Sequence, residues 1–377
     1  MAIVFDVVRI PVFEPLIEES DVEAVAEAVR RGEISGSFGD EIPSFEAEFA
    51  EYVGVAHGVA VTSGSTALQL ALAAGGVCPG DEVLMSASTN IATGLAAYHC
   101  GAVSVPVDSE PATGNLDLSL IESLITERTR AIIPVHLFGH PVDMDALMEI
   151  AKRYELLVVE DAAEAHGATV RGRMAGSFGD MSCFSFYANK LITTGEGGMV
   201  LTDDAELADR LRYLRNLAHG QPRFVHQEAG FNFRMTGYQA ALGRSQLSRI
   251  GSVLDSKRAM ASKYDSALAD VPGIQTPVVQ DWAEHVYWMY GIVVGPDYGE
   301  TRDQLMARLA ESGVETRTFF CPMNLQPFLT AQEGYRPVDC PVADHLWESG
   351  LYLPSAPSLS EDEISEVAGL IRDIPPS

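Results

Sequence analysis

From residue 55 to about 215, short apolar, β-branched runs alternate with stretches whose apolar residues recur at helical spacing. VAHGVAVT leads through SGST into ALQLALAAGG, DEVLMSAS into TNIATGLAAYHCG, AVSVPVD into LDLSLIESLIT, and AIIPVHLFG into VDMDALMEIAKRY, with LLVVEDAA following. The alternation predicts an α/β unit around a mainly parallel sheet covered on both faces. Such sheets bind ligands at the carboxyl ends of their strands, so the chemistry is sought in the residues just after each strand. Upstream, Asp21 is placed to cap a helix that carries Val22, Val25, Ala26 and Val29 and ends at Gly32. Past residue 250 the texture changes. A helical pattern runs through KRAMASKYDSALAD, followed by Pro272 and Pro277 and a strand-like VYWMYGIVVG. A helix around TRDQLMARLAESG, a strand VETRTFF and a last helix starting near Ser360 complete the chain. The expected division is residues 1–250, an amino-terminal arm and large α/β domain, and residues 251–377, a smaller α/β domain. There is no fixed-period repeat.

At 377 residues, 47% of them hydrophobic and 21% charged, the chain can bury a sizeable core. The start, MAIVFDVVRIPVF, has no basic leader and carries Asp6 and Arg9 in its apolar run, so it reads poorly as a signal peptide. No window reaches the roughly 20 uninterrupted apolar residues that a membrane helix needs. The expectation is a cytoplasmic protein with no membrane partner. Cys78, Cys100, Cys183, Cys321 and Cys340 form no CxxC pair and are odd in number, which fits reduced thiols. A net charge of −28 disfavours non-specific attraction to phosphate backbones, so no nucleic-acid partner is expected. An anionic ligand would therefore need local donors. His136 and His140 flank LFG without a third ligand nearby, so no metal is expected, and Asp143 and Asp145 are placed to start the next helix.

Four features fall at predicted strand ends. Ser63-Gly64-Ser65-Thr66 would aim helix N-terminal N–H groups and hydroxyls at an anion, although the same residues also make an ordinary cap. Asp161 ends a buried apolar run, where a carboxylate needs a cationic partner, whether a ligand or a structural ion pair. Of the four lysines, Lys152, Lys257 and Lys263 lie in polar helical contexts, whereas Lys190 stands between CFSFYA and GEGG. A lysine desolvated there becomes an amine nucleophile or Schiff-base former; one that snorkels stays a surface cation. The glycines let the backbone turn sharply or approach a ligand closely. Asn232 and Arg234, ahead of a helix capped by Thr236, suit an oxyanion or a turn with a solvated arginine. Together, an anion cup, a buried carboxylate and an isolated amine meet the needs of pyridoxal 5'-phosphate (PLP): a phosphate anchor, a partner for the pyridine nitrogen and an amine for the aldehyde.

VTSGSTALQLALAAGGVCPGDEV, VEDAAEAHGA, GSFGDMSCFSFYANKLITTGEGGMV and FNFRMTGYQAALGRSQL are highly specific in combination. Over nearly its whole length the chain resembles the DegT/DnrJ/StrS family of PLP-dependent sugar aminotransferases. The resemblance implies the type I aminotransferase fold and a homodimer with shared active sites. It implies that Lys190 forms the imine with the cofactor, Asp161 contacts the pyridine nitrogen and Glu164 lies near the ring hydroxyl. Ser65, Thr66 and Ser185 would hold the phosphate, with Asn232 reaching in from the neighbouring subunit. Asn90 stands where the family often stacks an aromatic ring on the cofactor, and Glu164 where many members have glutamine. HVYWMY (His285 to Tyr290) and VETRTFFCPMNLQP look like the perosamine-forming subgroup.

By this resemblance the expected reaction passes an amino group from L-glutamate to a keto sugar nucleotide, with Lys190 both binding the carbonyl and moving the proton. A GDP-linked 4-keto-6-deoxy sugar leads, with dTDP- or UDP-linked 4-keto or 3-keto sugars as alternatives. His219, Arg234 and Arg317 are candidate substrate donors by position. Trp282, Tyr287, Trp288 and Tyr290 would line a sugar pocket or pack as core aromatics. A non-catalytic PLP-binding regulator is the competing class, and a nicotinamide dehydrogenase a third, weakened by the absence of the dinucleotide fingerprint.

Overall fold

The computed structural model describes residues 8–373, so the reading of the amino terminus falls largely on residues outside them. The central sheet holds β1 (His57–Val61), β2 (Glu82–Ser86), β3 (Val103–Val107), β4 (Thr129–Ile133) and β5 (Leu157–Asp161). After a small hairpin, β6 (Thr169–Val170) and β7 (Arg173–Met174), it adds β8 (Met181–Ser185) and β9 (Gly198–Thr202). The order is β1-β9-β8-β5-β4-β2-β3. The pairs within β8-β5-β4-β2-β3 are parallel, whereas β9 runs antiparallel to both β8 and β1.

The strands read as unbroken apolar runs because both faces are covered. Alternate residues serve opposite cores: Val59 and Val61 pack with Leu68, Leu72 and Met85, while Ala60 packs with Phe45, Phe49 and Phe184. Helices α1 (Glu19–Arg30) and α2 (Glu41–Val53) precede the sheet. Helices α3 (Gly64–Ala74), α4 (Ile91–His99), α5 (Leu118–Leu124), α6 (Met144–Arg153) and α7 (Ala205–Arg215) follow their strands, and α8 (Gly237–Leu247) leads out. Asp21 does not stand before α1 as expected but in its first turn, where its carboxylate accepts from the Glu18 N–H at 3.0 Å and from Arg249 Nη1 at 2.7 Å. It ties α1 to the turn that follows α8. Asp143 does cap α6.

A second sheet, all antiparallel, has the order β10 (Ile274–Gln275), β12 (Tyr290–Val294), β14 (Gly350–Leu353), β13 (Arg317–Thr318). Short β11 (Ala283–Glu284) instead joins the β6–β7 hairpin. Around the second sheet lie α9 (Ile250–Leu268), α10 (Arg302–Glu311), α12 (Pro341–Ser349) and α13 (Glu361–Arg372), the last capped by Ser360, while α11 (Pro327–Thr330) packs on α4 through Phe328 and Leu329. The strand expected from VYWMYGIVVG starts only at Tyr290. Tyr287 has φ +50°, and its N–H turns back onto His285 Nδ1 at 3.0 Å, which breaks the extended run.

The described part of the amino-terminal arm touches both units, with Leu16 packing against the core of Phe45 and Phe184 on the central sheet. Ile10 bridges Val314 in parallel and lies in the core of Tyr264, Tyr290 and Leu351. Among the described residues no helix is long and apolar enough to cross a membrane.

Candidate active site

A cavity of about 400 Å³ opens at the carboxyl ends of β1, β2, β5 and β8 and is walled from the second sheet's side by Trp288, Arg317, Phe320 and Tyr352. Of the residues singled out in the sequence, Ser65, Asn90, Asp161, Glu164, Ser185, Lys190 and Arg317 line it. Thr66, His219, Asn232 and Arg234 are not among its lining.

The first wall is the turn between β1 and α3. Ser63 and Thr66 close a capping box: the Ser63 N–H donates to Thr66 Oγ1 at 3.0 Å and the Thr66 N–H to Ser63 Oγ at 3.2 Å. Both hydroxyls are therefore engaged in the cap, which leaves the Ser65 hydroxyl and the first-turn N–H groups of Gly64 and Ser65 for a ligand. Gly64 is needed for the approach of β8, since a Cβ there would stand 2.8 Å from Ser185 Cβ. Gly198 serves the same turn. A Cβ on it would stand 2.4 Å from Ser63 O, so this glycine admits protein backbone where a ligand was one expectation.

Asn90, at the end of the loop after β2, is the N-cap of α4, its Oδ1 accepting from the Ala92 N–H at 3.0 Å. One turn on, Thr93 donates its hydroxyl to Asp161 Oδ2 at 2.8 Å, and the Ala163 N–H donates to Asp161 Oδ1 at 3.3 Å. Asp161 is buried and makes no ion pair among the described residues. Burial pushes its carboxyl above the usual range, opposed first by the Thr93 bond.

Glu164 accepts the Phe138 N–H at 2.8 Å and faces Lys190 Nζ at 3.8 Å. Burial pushes its carboxyl up to about 7, against the pull of the lysine. Burial likewise lowers the Lys190 ammonium, with Glu164 and Asp161 opposing. The lysine's side chain is 10% exposed, and its Nζ lies 3.7 Å from the ring centroid of Trp288. An amine held between a carboxylate and an indole face, at the mouth of a cavity with an anion-binding helix end and a buried acid, can add to a carbonyl and carry a proton.

Asn232 is exposed and bridges Asn216, and His219 is exposed beside His226 with ring centroids 4.9 Å apart. Arg234 donates to Asn216 Oδ1. Arg317 is paired with Glu315 at 2.8 Å. His136 and His140 are buried: His136 Nδ1 accepts from the Val142 N–H at 3.0 Å, which leaves its Nε2 proton for Glu160, also at 3.0 Å. Trp288 belongs to the cavity wall, while Tyr290 belongs to the second core.

Two residues escaped the sequence reading. Thr93 carries no motif. Lys257, read as a polar helical lysine, is fully buried and donates to Trp288 O at 3.0 Å and to Ser355 O. Its signal was present: with Val253, Met260, Ala261 and Tyr264 it falls on one apolar stripe of α9.

The profile of the DegT/DnrJ/EryC1/StrS aminotransferase family matches residues 15–372. A GDP-perosamine synthase of Caulobacter vibrioides is 42% identical over 98% of this chain and 99% of its own length. The dTDP-3-amino-3,4,6-trideoxy-alpha-D-glucose transaminase of Streptomyces venezuelae is 41% identical over 96% of this chain and 93% of its own. A crystal structure of S. venezuelae DesV with a ketimine intermediate superposes with a TM-score of 0.87 at 40% identity, covering 93% of both chains.

Proposed function

The chain belongs to the DegT/DnrJ/EryC1/StrS aminotransferase family, whose cofactor is PLP, and we propose that it passes an amino group from L-glutamate to C4 of GDP-4-keto-6-deoxy-D-mannose, giving GDP-perosamine. The observation that carries the substrate is the 42% identity to a GDP-perosamine synthase over 98% of the chain.

The site fits the cofactor. Asp161 is a buried carboxylate without an ion pair among the described residues, the partner that a protonated pyridine nitrogen requires. The Ser65 hydroxyl, the α3 N-terminus and Ser185 would hold the phosphate, and Lys190 the aldehyde carbon. When bound, PLP supplies a carbonyl that exchanges amines and a ring that draws electrons from the bonds made there. The chain's own residues do the rest. Lys190 Nζ takes the proton from the α-carbon of glutamate and, in the second half of the exchange, delivers one to C4 of the sugar. Asp161 keeps the ring nitrogen charged. Glu164 holds the lysine within reach, and Trp288, Phe320 and Tyr352 keep water from it.

Asn232 acts across a homodimer interface in this reading. Its exposure outside its own chain's cavity supports that, as do the exposed Phe38, Phe224 and Val225. Thr66 supports the phosphate cup through the cap, and His219, Arg234 and Arg317 would meet the sugar nucleotide. The five free thiols support a cytoplasmic setting. A dTDP-linked keto sugar is the second reading, favoured by the 41% identity to the S. venezuelae transaminase. Incubation with glutamate and a panel of GDP-, dTDP- and UDP-linked 4-keto and 3-keto sugars, read by product mass and 2-oxoglutarate release, tests the assignment. Amination of the GDP-linked 4-keto sugar is the expected result, and reaction confined to another substrate overturns it.

A further inference from the structure

Trp288 holds the Asn189–Lys190 segment at two points. The Lys190 Nζ stands 3.7 Å from the indole centroid, and the indole Nε1–H donates to the carbonyl of Asn189, the preceding residue, at 2.7 Å. Trp288 is 3% exposed, so the contact is largely desolvated, the setting in which a cation on an aromatic face is worth most. Trp288 is itself held from behind. Its carbonyl accepts from the buried Lys257 Nζ at 3.0 Å, and the same ammonium reaches Ser355 O. Ser355 Oγ in turn accepts the Tyr290 N–H at 2.9 Å. Because Tyr287 takes a left-handed conformation just before it, Trp288 leaves the strand pattern and meets the lysine.

We propose that Trp288 is a positioning residue for Lys190: its face receives the lysine ammonium and its N–H fixes the peptide that carries the lysine, so the amine is held ready between its two proton transfers. This rests on the reading of Lys190 as the group that binds the cofactor's aldehyde and moves the proton. At that stage the lysine is free of the carbonyl and has just gained a proton, and the indole stabilises that charged form. Glu164, Asp161 and His166 also face the amine from within, and Glu196, Tyr187, Tyr352 and Arg317 share its cavity. A change at Trp288 must therefore be compared with a substitution that keeps the apolar bulk and leaves these groups in place.

The test is the titration of Lys190 in the cofactor-free protein, followed by competitive acylation with acetic anhydride and peptide mass. Trp288→Leu keeps burial and removes the π face, and should lower the midpoint by about one pH unit. Trp288→Phe, which restores a face, should recover much of that shift, and Trp288→Met replaces Trp288→Leu if the latter does not fold. A loss of packing alone would move both variants together. An unchanged midpoint in Trp288→Leu, or the same shift in Trp288→Phe, overturns the proposal. The parent reading is tested separately by borohydride reduction of the PLP-loaded wild-type protein and mapping of the pyridoxyl label. A label away from Lys190 removes that reading, while the cofactor-free titration still reports on Trp288.

Discussion

The hydroxyl of Thr93 donates to Asp161 Oδ2 at 2.8 Å in the buried floor of the cavity. It is the first of the forces that oppose the upward push of burial on that carboxyl. Removing the donor should make Asp161 a poorer partner for a pyridinium. Thr93→Val is expected to weaken PLP binding about tenfold, the worth of one hydrogen bond to a charged group. Asp161→Ala should weaken it further and cost about a hundredfold or more in rate. Titration of the cofactor's absorbance checks the first, and 2-oxoglutarate release the second. Unchanged affinity in both would refute the pyridinium role.

Glu164 offers a pH signature. Its folded carboxyl is raised from the ordinary 4.5 to about 7, so the folded state holds its proton longer than the unfolded chain does. The stability from this group is full below about 4.5 and is lost as pH rises through 7. Glu164→Gln keeps an acceptor for the Phe138 N–H and has no such loss. Melting of the cofactor-free proteins should show the variant gaining on wild type as pH rises from 4.5 to 7. A gap that stays flat across this range would contradict the assignment.

Asn90 serves as a helix cap. Its Oδ1 satisfies the Ala92 N–H, so Asn90→Ala should destabilise the protein by about 1 kcal/mol and Asn90→Ser by much less. Urea denaturation decides. If Ala and Ser behave alike, the side chain is kept for the ligand and not for the helix.

Lys257 has no carboxylate among its hydrogen-bond acceptors, which are two carbonyls, and burial lowers it to about 7. The unfolded chain therefore binds the extra proton between 7 and 10.5, and wild-type stability from this group is lost as pH falls through that window. Lys257→Met should be less stable than wild type near pH 9.5, by about 1 to 3 kcal/mol for the unmet carbonyls. The difference should shrink or reverse at pH 7. Denaturation at the two pH values measures it, and a constant difference would mean that the ammonium carries no buried cost.

Much of this was legible in the chain. The α/β alternation shows because strands covered on both faces are written as pure apolar runs. Lys190 shows because an ammonium between CFSFYA and GEGG has no polar helix to explain it. The direction of β9 was hidden, since nothing within GMVLT states which neighbour it will meet. Trp288 was legible only as pocket lining or core, because the left-handed turn at Tyr287 that sends it to the cavity lies inside an apolar, strand-like run. Lys257 was hidden by Ser256 and Arg258, which make its helix look wet although its own stripe is dry.

The pairing of Ile10 with Val314 has a consequence in time. The N–H groups of Arg9 and Ile10 both reach Gly313 O, and Ile10 O accepts from Glu315. During synthesis Ile10 emerges about 300 residues before Val314, so its bridge must wait unpaired until the second sheet's segments are made. The later-made second sheet is then fastened by a much earlier segment, a late clasp between residues far apart in sequence. Trimming the arm should therefore harm refolding of the carboxyl-terminal core more than that of the central sheet, as hydrogen exchange on the two sheets would report.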